Sequence, residues 1–172
     1  EGISYLAGAE LPAVIVNVVR GGPGLGTIQP SQADYFQAVK GGGHGDYKLY
    51  VLAPASVQEM SDFVEDAFDI AFKYRAPVLI LSDGLIGQMM EKVNLKDQEE
   101  RMSNEELIKK YDHWATTGRT DRERNIVTSL YLDPEKMEER VRKLMRKYEQ
   151  MEKEDLRYEK INCDDADYIF VA

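Results

Sequence analysis

Cysteine is nearly absent from this chain: Cys163 is the single one in 172 residues. A disulfide within the chain is therefore excluded, and no cysteine cluster exists to hold zinc or an iron–sulfur centre. A reducing setting, with cytoplasmic placement, is the expectation. Histidine is scarce as well. His44 and His113 are the only two, and no histidine or acidic pair stands at ligand spacing, so no metal site is expected. No apolar run approaches the ~20 residues that a membrane-spanning helix needs, and no signal-peptide pattern is visible. Cations are in deficit, 22 Lys and Arg against 31 Asp and Glu, for a net charge of −9. A nucleic-acid or anionic-membrane binder needs a basic surface, so neither partner is expected. Among nucleotide motifs there is no Gly-x-x-x-x-Gly-Lys and no complete Gly-x-Gly-x-x-Gly.

What is present is an ordinary globular balance, 43% apolar and 31% charged, in a length sufficient for one domain with a real core. The chain is organised around Pro12 to Gly26. Ala13-Val14-Ile15-Val16-Asn17-Val18-Val19 reads as a parallel strand covered on both faces, since six of its seven residues are β-branched or small apolar. Arg20 follows, and then Gly21, Gly22, Pro23, Gly24, Leu25 and Gly26. Glycines there let the backbone take positive φ and approach another molecule. Arg20 thus stands at the carboxyl end of a strand, the edge where open α/β sheets bind ligands. Its planar fork suits a carboxylate or phosphate. Spacing alone permits either a tight connection or a ligand site; the position of Arg20 favours the latter. Thr27 and Gln29 can add neutral hydrogen bonds to a carbonyl or carboxylate.

Residues 1–82 alternate helix and strand without tight hairpin turns, which means parallel crossovers and an α/β class. Residues 3–9 read as part of a helix. Ser31 is placed to cap a short helix over 32–39, and 48–52 reads as a second strand. Ser56-x-x-Glu59 is a capping box opening a helix to about Tyr74, with Val57, Met60, Val64, Ala67, Phe68 and Ala71 as its buried face. Residues 77–81 form a third, wholly apolar strand. Beyond Gly87 the composition turns charged, and 91–112 reads as an arm with a short helix over 104–111, docked by the Trp114 stretch. Asp133-Pro134 opens a long helix over 135–157 with one narrow apolar stripe, Met137, Val141, Leu144, Tyr148 and Met151. Tyr168 to Ala172 reads as a strand with nothing after it. Both ends look cut, as in a piece of a longer polypeptide. His44 in its glycine loop is a proton carrier, a ligand contact or a plain exposed side chain. Ser56 is a helix cap, Asp83 caps the next turn, and Cys163 is an inert thiol.

The run RGGPGLGTIQPSQADY, within EGISYLAGAELPAVIVNVVRGGPGLGTIQPSQADYFQAVKGGGHGDY, closely resembles the α-type subunit of 2-oxoacid:ferredoxin oxidoreductases. The similarity is greatest to the branched-chain (3-methyl-2-oxobutanoate) and pyruvate branch. It continues through YVLAPASVQEM, KYRAPVLILSDGLIGQMMEKV, WATTGRT and CDDADYIFVA.

The resemblance implies the C-terminal half of a pyrimidine-binding domain of the thiamine diphosphate fold, a parallel-sheet, three-layer α/β unit over residues 1–90. It implies a linker arm with a long helix over 91–162 and the first strand of a following domain over 163–172. It further implies oxidative decarboxylation of a 2-oxoacid to an acyl-CoA with reduction of ferredoxin. Thiamine diphosphate with Mg²⁺ would be shared with a β-type subunit, coenzyme A would be the co-substrate, and iron–sulfur clusters would lie on other subunits. Partners would be the β-type subunit, a γ-type subunit, a ferredoxin-like subunit and ferredoxin.

By the same resemblance Arg20 contacts the substrate carboxylate, Thr27 and Gln29 line its pocket, and Gly21 and Gly22 lie against the cofactor. The glutamate that protonates the cofactor's aminopyrimidine belongs to an upstream part not within these residues. No catalytic residue is therefore assigned here, and the chain alone is expected to be inactive. The rival reading is a catalytically inactive piece acting only as a subunit-interaction scaffold.

Overall fold

The computed structural model describes residues 1–95, 102–118 and 121–171. Its centre is a three-stranded sheet in the order β1-β3-β2, built from β1 (Ala13–Val19), β2 (Tyr50–Leu52) and β3 (Pro77–Asp83). All pairings are parallel, and β1 runs in register with β3 from Ala13 opposite Pro77 to Val19 opposite Asp83. Proline opens β3, the position where a missing N–H is least costly in a central strand. With neighbours on both edges, β3 buries Val78, Leu79 and Ile80. Its uninterrupted apolar run is what a strand covered on both faces requires.

β1 differs from that pattern. Val16 and Val18 remain 50% and 48% exposed, against the expectation that both faces are covered. β1 is an outer strand of the sheet, and the turn after β3 passes close to Val18 at Gly87. A Cβ on Gly87 would stand 2.9 Å from Val18 Cγ1, so glycine there lets the turn after β3 lie flat on the strand.

α1 (Gly2–Gly8) precedes β1, and α2 (Tyr35–Lys40) lies between β1 and β2. α2 begins later than the expected residue 32, and its cap position is Asp34 rather than Ser31. α3 (Val57–Tyr74) starts at the expected Ser56 cap, although Glu59 reaches one residue further back than a capping box requires. The Ser56 hydroxyl accepts from Glu59 N–H, and the Glu59 carboxylate reaches back to Ala55 N–H. Its buried side is Ala67, Ile70, Ala71 and Tyr74, while Val64 and Phe68 stand outside it. The helix is turned relative to the expected face by what holds its last turns. Phe72 packs on Tyr111 and Trp114, and the Tyr74 hydroxyl reaches Glu154 and Asp155. Ala67 and Ala71 are fully buried, which brings the helix close to the sheet.

The arm starts by fastening to α3. Glu91 accepts from Val57 N–H, and Gln58 and Asn94 exchange hydrogen bonds. A carboxylate there also meets the positive end of the helix. α4 (Asn104–Tyr111) has a complete capping box between Ser103 and Glu106. α5 (Pro134–Glu154) is capped by Asp133. Its stripe is not a free surface: Leu144, Tyr148 and Met151 join Leu52, Ala67, Ile70, Val78 and Ile80 in one core. Residues 168–171, expected as a strand, are irregular and exposed, because no neighbouring strand meets them among the described residues. Residue 172 lies outside the described part.

α5 is fixed to the start of the sheet by a buried acid. Glu10 is 4% exposed and holds a positive φ of 53°. Its carboxylate pairs with Arg140, with Lys143 at 2.9 Å and with Lys147 at 3.0 Å. Burial alone would raise its pKa. The hydrogen bond from Lys143, the charge and hydrogen bond of Lys147 and the charge of Arg140 outweigh burial and hold it at about 2.

Removing the acid leaves several cations facing one another in a partly dry site. Glu10→Gln is expected to cost about 3 kcal/mol, read as a lower urea midpoint. The native carboxyl titrates below its ordinary 4.5. The stability it contributes is therefore complete above about pH 4.5 and is lost as pH falls toward 2. Glu10→Gln should flatten that acid limb, and an unchanged limb would show that the cluster is not what fails in acid.

Candidate functional site

The parallel register delivers Val19 and Asp83 side by side at the carboxyl edge of the sheet, and the chain leaves both strands there. Gly84 N–H donates to Val19 C=O at 2.9 Å, and the Asp83 carboxylate accepts from Leu85 and Ile86 N–H. Asp83 therefore acts as the turn cap expected of it.

On the β1 side the glycine-rich segment folds back on itself. Arg20 forms an antiparallel bridge with Pro30. Gly21 N–H donates to Gln29 C=O at 3.0 Å, Thr27 N–H to Gly21 C=O at 2.7 Å, and Gly26 N–H to Pro23 C=O at 3.1 Å. The turn needs glycine at two places. Gly24 and Gly26 both hold φ of 63°, the left-handed region that favours a residue without Cβ. At Gly26 a Cβ would also stand 1.8 Å from the Gly21 carbonyl oxygen.

The sequence-derived site residues fall together on this loop, in unequal states. Arg20 is exposed, donates from Nη1 to Thr27 C=O at 3.3 Å, and forms no ion pair among the described residues. The Thr27 hydroxyl accepts from Gln29 N–H at 3.4 Å and keeps its own proton to donate. Gly21 has both its N–H and its C=O engaged within the loop, so its backbone offers a ligand little. Gly22 is the open one: nothing stands within 4 Å of a Cβ built on it.

Between Glu10 and Asp34 the one charged residue is Arg20. A cation without a nearby acid in sequence, held only to a carbonyl, can accept a carboxylate in a planar two-point contact.

Two neighbours were not singled out by the motif. Asn17 donates from Nδ2 to the Asp34 carboxylate at 3.0 Å, joining the strand before the loop to the residue that ends it. The signal was visible, since Asn17 is the one polar residue of β1. His44 is elsewhere. It lines a separate cavity of about 370 Å³ with Tyr5, Asp46, Ser129 and Leu144, and no residue of the Arg20 loop borders that space. Among the described residues no group of three or more His, Cys, Asp or Glu stands together as a metal site. No described helix is long and apolar enough to cross a membrane.

A parallel α/β sheet with a glycine-rich, singly charged loop at the carboxyl ends of its strands defines a ligand- or cofactor-binding domain of the α/β class. Residues 1–160 match the family described as "Pyruvate flavodoxin/ferredoxin oxidoreductase, thiamine diP-bdg", and the chain belongs to that family. The ketoisovalerate oxidoreductase subunit VorB of Methanothermobacter thermautotrophicus is 50% identical over 173 residues, 100% of this chain and 47% of that protein. The 2-oxoglutarate synthase subunit KorA of Methanothermobacter marburgensis is 48% identical over 101 residues, 58% of this chain and 27% of that protein. Among solved structures, a 2-oxoglutarate:ferredoxin oxidoreductase from Magnetococcus marinus, with 2-oxoglutarate, coenzyme A and succinyl-CoA bound, aligns with a TM-score of 0.64. It is 26% identical, and the match covers 88% of this chain and 30% of that one. The chain thus spans about half the length of the VorB relative it matches in full.

The loop geometry makes a local prediction. Gly26→Ala should displace the Gly21 peptide at a cost of about 1–3 kcal/mol. The Thr27 amide, now bonded to Gly21 C=O, should then exchange with solvent faster. Gly22→Ala, which meets open space, should leave that amide protected. Equal exchange in the two variants would show that the turn does not depend on the close approach.

Proposed function

We propose that this chain is part of the α-type subunit of a cytoplasmic 2-oxoacid:ferredoxin oxidoreductase that converts a branched-chain 2-oxoacid, 3-methyl-2-oxobutanoate, to its acyl-CoA. Arg20 binds the substrate carboxylate, the Thr27 hydroxyl and the Gln29 amide line the same pocket, and Gly22, more than Gly21, offers backbone to the cofactor. The observation that carries the reading is Arg20 itself, an exposed cation with no ion-pair partner among the described residues at the carboxyl end of β1. The branched-chain preference rests on similarity. The likeness to the ketoisovalerate subunit runs through the whole chain, that to the 2-oxoglutarate subunit through 58% of it.

Thiamine diphosphate, when bound, supplies the carbon that attacks the 2-oxo group and takes up the electrons left by decarboxylation. The residues here suit the substrate side of such a site: an open loop, a cation and neutral donors. In this reading Mg²⁺ and the diphosphate belong to a β-type partner, the iron–sulfur clusters to other subunits, and ferredoxin takes the electrons. What this chain's residues do is bind and orient. The charge–charge contact from Arg20 fixes the carboxylate end of the substrate, so that its 2-oxo carbon meets the cofactor in one orientation.

A second reading, a scaffold without a part in substrate binding, is separated by one experiment. In the full-length subunit assembled with its partners, methyl viologen reduction is followed with 3-methyl-2-oxobutanoate, pyruvate and 2-oxoglutarate in turn. The branched substrate should give the highest kcat/KM. Arg20→Ala should raise its KM tenfold or more, about 1.4 kcal/mol of lost carboxylate binding. Unchanged kinetics would leave the loop structural and favour the scaffold.

A further inference from the structure

Asn17 is an unusual residue for its place. It sits in the middle of a strand whose other residues are alanine, valine and isoleucine, and a polar side chain there is disfavoured unless it is bonded. It is bonded: its amide donates to the Asp34 carboxylate at 3.0 Å in a half-buried contact.

Asp34 is unusual too. It occupies the cap position of α2, and its carbonyl accepts the first helical bond from Ala38 N–H, yet its side chain makes no capping hydrogen bond. Aspartate at that position ordinarily turns its carboxylate onto the helix's own free N–H groups. Here the carboxylate is used across the loop instead. The excursion from β1 to α2 is therefore fastened in rungs. Asn17 to Asp34 is at the base, the Arg20–Pro30 bridge and the Gly21–Gln29 and Gly21–Thr27 bonds lie in the middle, and the Pro23–Gly26 bond lies nearest the tip. The base rung stands on β1, every residue of which is matched against β3, so it is the rung tied directly to the sheet.

We propose that the Asn17–Asp34 pair is a positioning clasp that holds the loop so that Arg20 meets its ligand at a fixed distance. This rests on the reading of Arg20 as the carboxylate contact. Asn17 does not itself reach the ligand: three residues of strand, about 10 Å, separate it from Arg20. It acts through Asp34 and the loop. The chemistry of the pair has a direction, amide donor on the strand and carboxylate acceptor on the helix start, and it can be reversed without changing shape.

The test is a reciprocal swap in the assembled full-length enzyme. Asn17→Asp faces one carboxylate with another, and should raise the KM for the 2-oxoacid at least fivefold while leaving the KM for coenzyme A within twofold. Asp34→Asn retains a hydrogen bond and should change the 2-oxoacid KM less than threefold. The double variant Asn17→Asp/Asp34→Asn restores amide to carboxylate and should return KM to within threefold of the starting protein. If Asn17→Asp does not assemble, Asp34→Ala removes the clasp from its outer partner and should raise the same KM at least fivefold. A 2-oxoacid KM unmoved by both Asn17→Asp and Asp34→Ala would overturn the clasp, as would a double variant no better than Asn17→Asp. Arg20→Ala is run beside them. If it raises KM and the clasp variants do not, only the clasp falls; if Arg20→Ala itself is silent, the substrate site falls first.

Discussion

The structure depends on the seven-residue parallel register between β1 and β3. Parallel pairing is possible only when a long connection carries the chain back to the same end, and here that connection contains both α2 and α3. One consequence is burial: β3 takes neighbours on both edges and becomes the driest part of the molecule, which Val78 and Ile80 record at 0% exposure. Another is alignment. Val19 and Asp83 end at the same level, so the Arg20 loop and the Gly84 turn emerge together. A Cβ on Gly84 would stand 3.6 Å from Pro30, and a slip of one residue would turn side chains to the wrong face and break that meeting.

The two ends of the sheet are treated in opposite ways. At the amino end Glu10 draws Arg140, Lys143 and Lys147 of α5 onto the residues that lead into β1. Lys147 also donates to the Arg75 carbonyl at the entry to β3. Charge there is concentrated around one buried carboxylate. At the carboxyl end the stretch from Leu11 to Ala33 carries no charge but Arg20, and the Asp83 carboxylate beside it is taken up by Leu85 and Ile86 N–H. A buried ion cluster adds little net stability over an apolar equivalent but is costly to break. It fixes where α5 lies, and through Leu144, Tyr148 and Met151 α5 completes the core. The fold thus spends its ion pairs away from the site, which leaves Arg20 available.

Much of this was legible in the residues. The strand before the glycines, the apolar run of β3, the capping box of α3 and the Asp133-Pro134 start of α5 are local signals, and each element stands where its signal lies. The sequence-derived site residues share one loop because they share one stretch of chain. What was not legible is set by tertiary contact. The face of α3 is rotated by Tyr74 and Phe72, whose partners are 80 and 39 residues away, in α5 and α4. α2 begins late because Asp34 is engaged by Asn17, and no helix-start rule contains that strand residue. The exposure of Val16 and Val18 is a property of strand order, which hydrophobicity alone does not encode. The expected strand over 168–172 failed, over its described residues, for the same reason in reverse, since β-propensity without an adjacent strand does not make a sheet.

The electrostatics of the loop bear on how a site works in so acidic a chain. With a net charge of −9, this chain's own long-range field opposes an anion. Screening limits that repulsion to about 8 Å at physiological ionic strength, so what matters is the charge density within that radius. The stretch from Leu11 to Ala33 carries none except Arg20, and the Asp83 carboxylate at the neighbouring strand end is held by Leu85 and Ile86 N–H. The loop's own bonds are backbone amides and one threonine hydroxyl, neutral groups that neither compete for the guanidinium nor repel a carboxylate. A lysine in the same place would carry the charge but not the planar fork. On the proposed reading, contact with a carboxylate is then decided at short range, by the orientation of one guanidinium whose support is the strand beneath it.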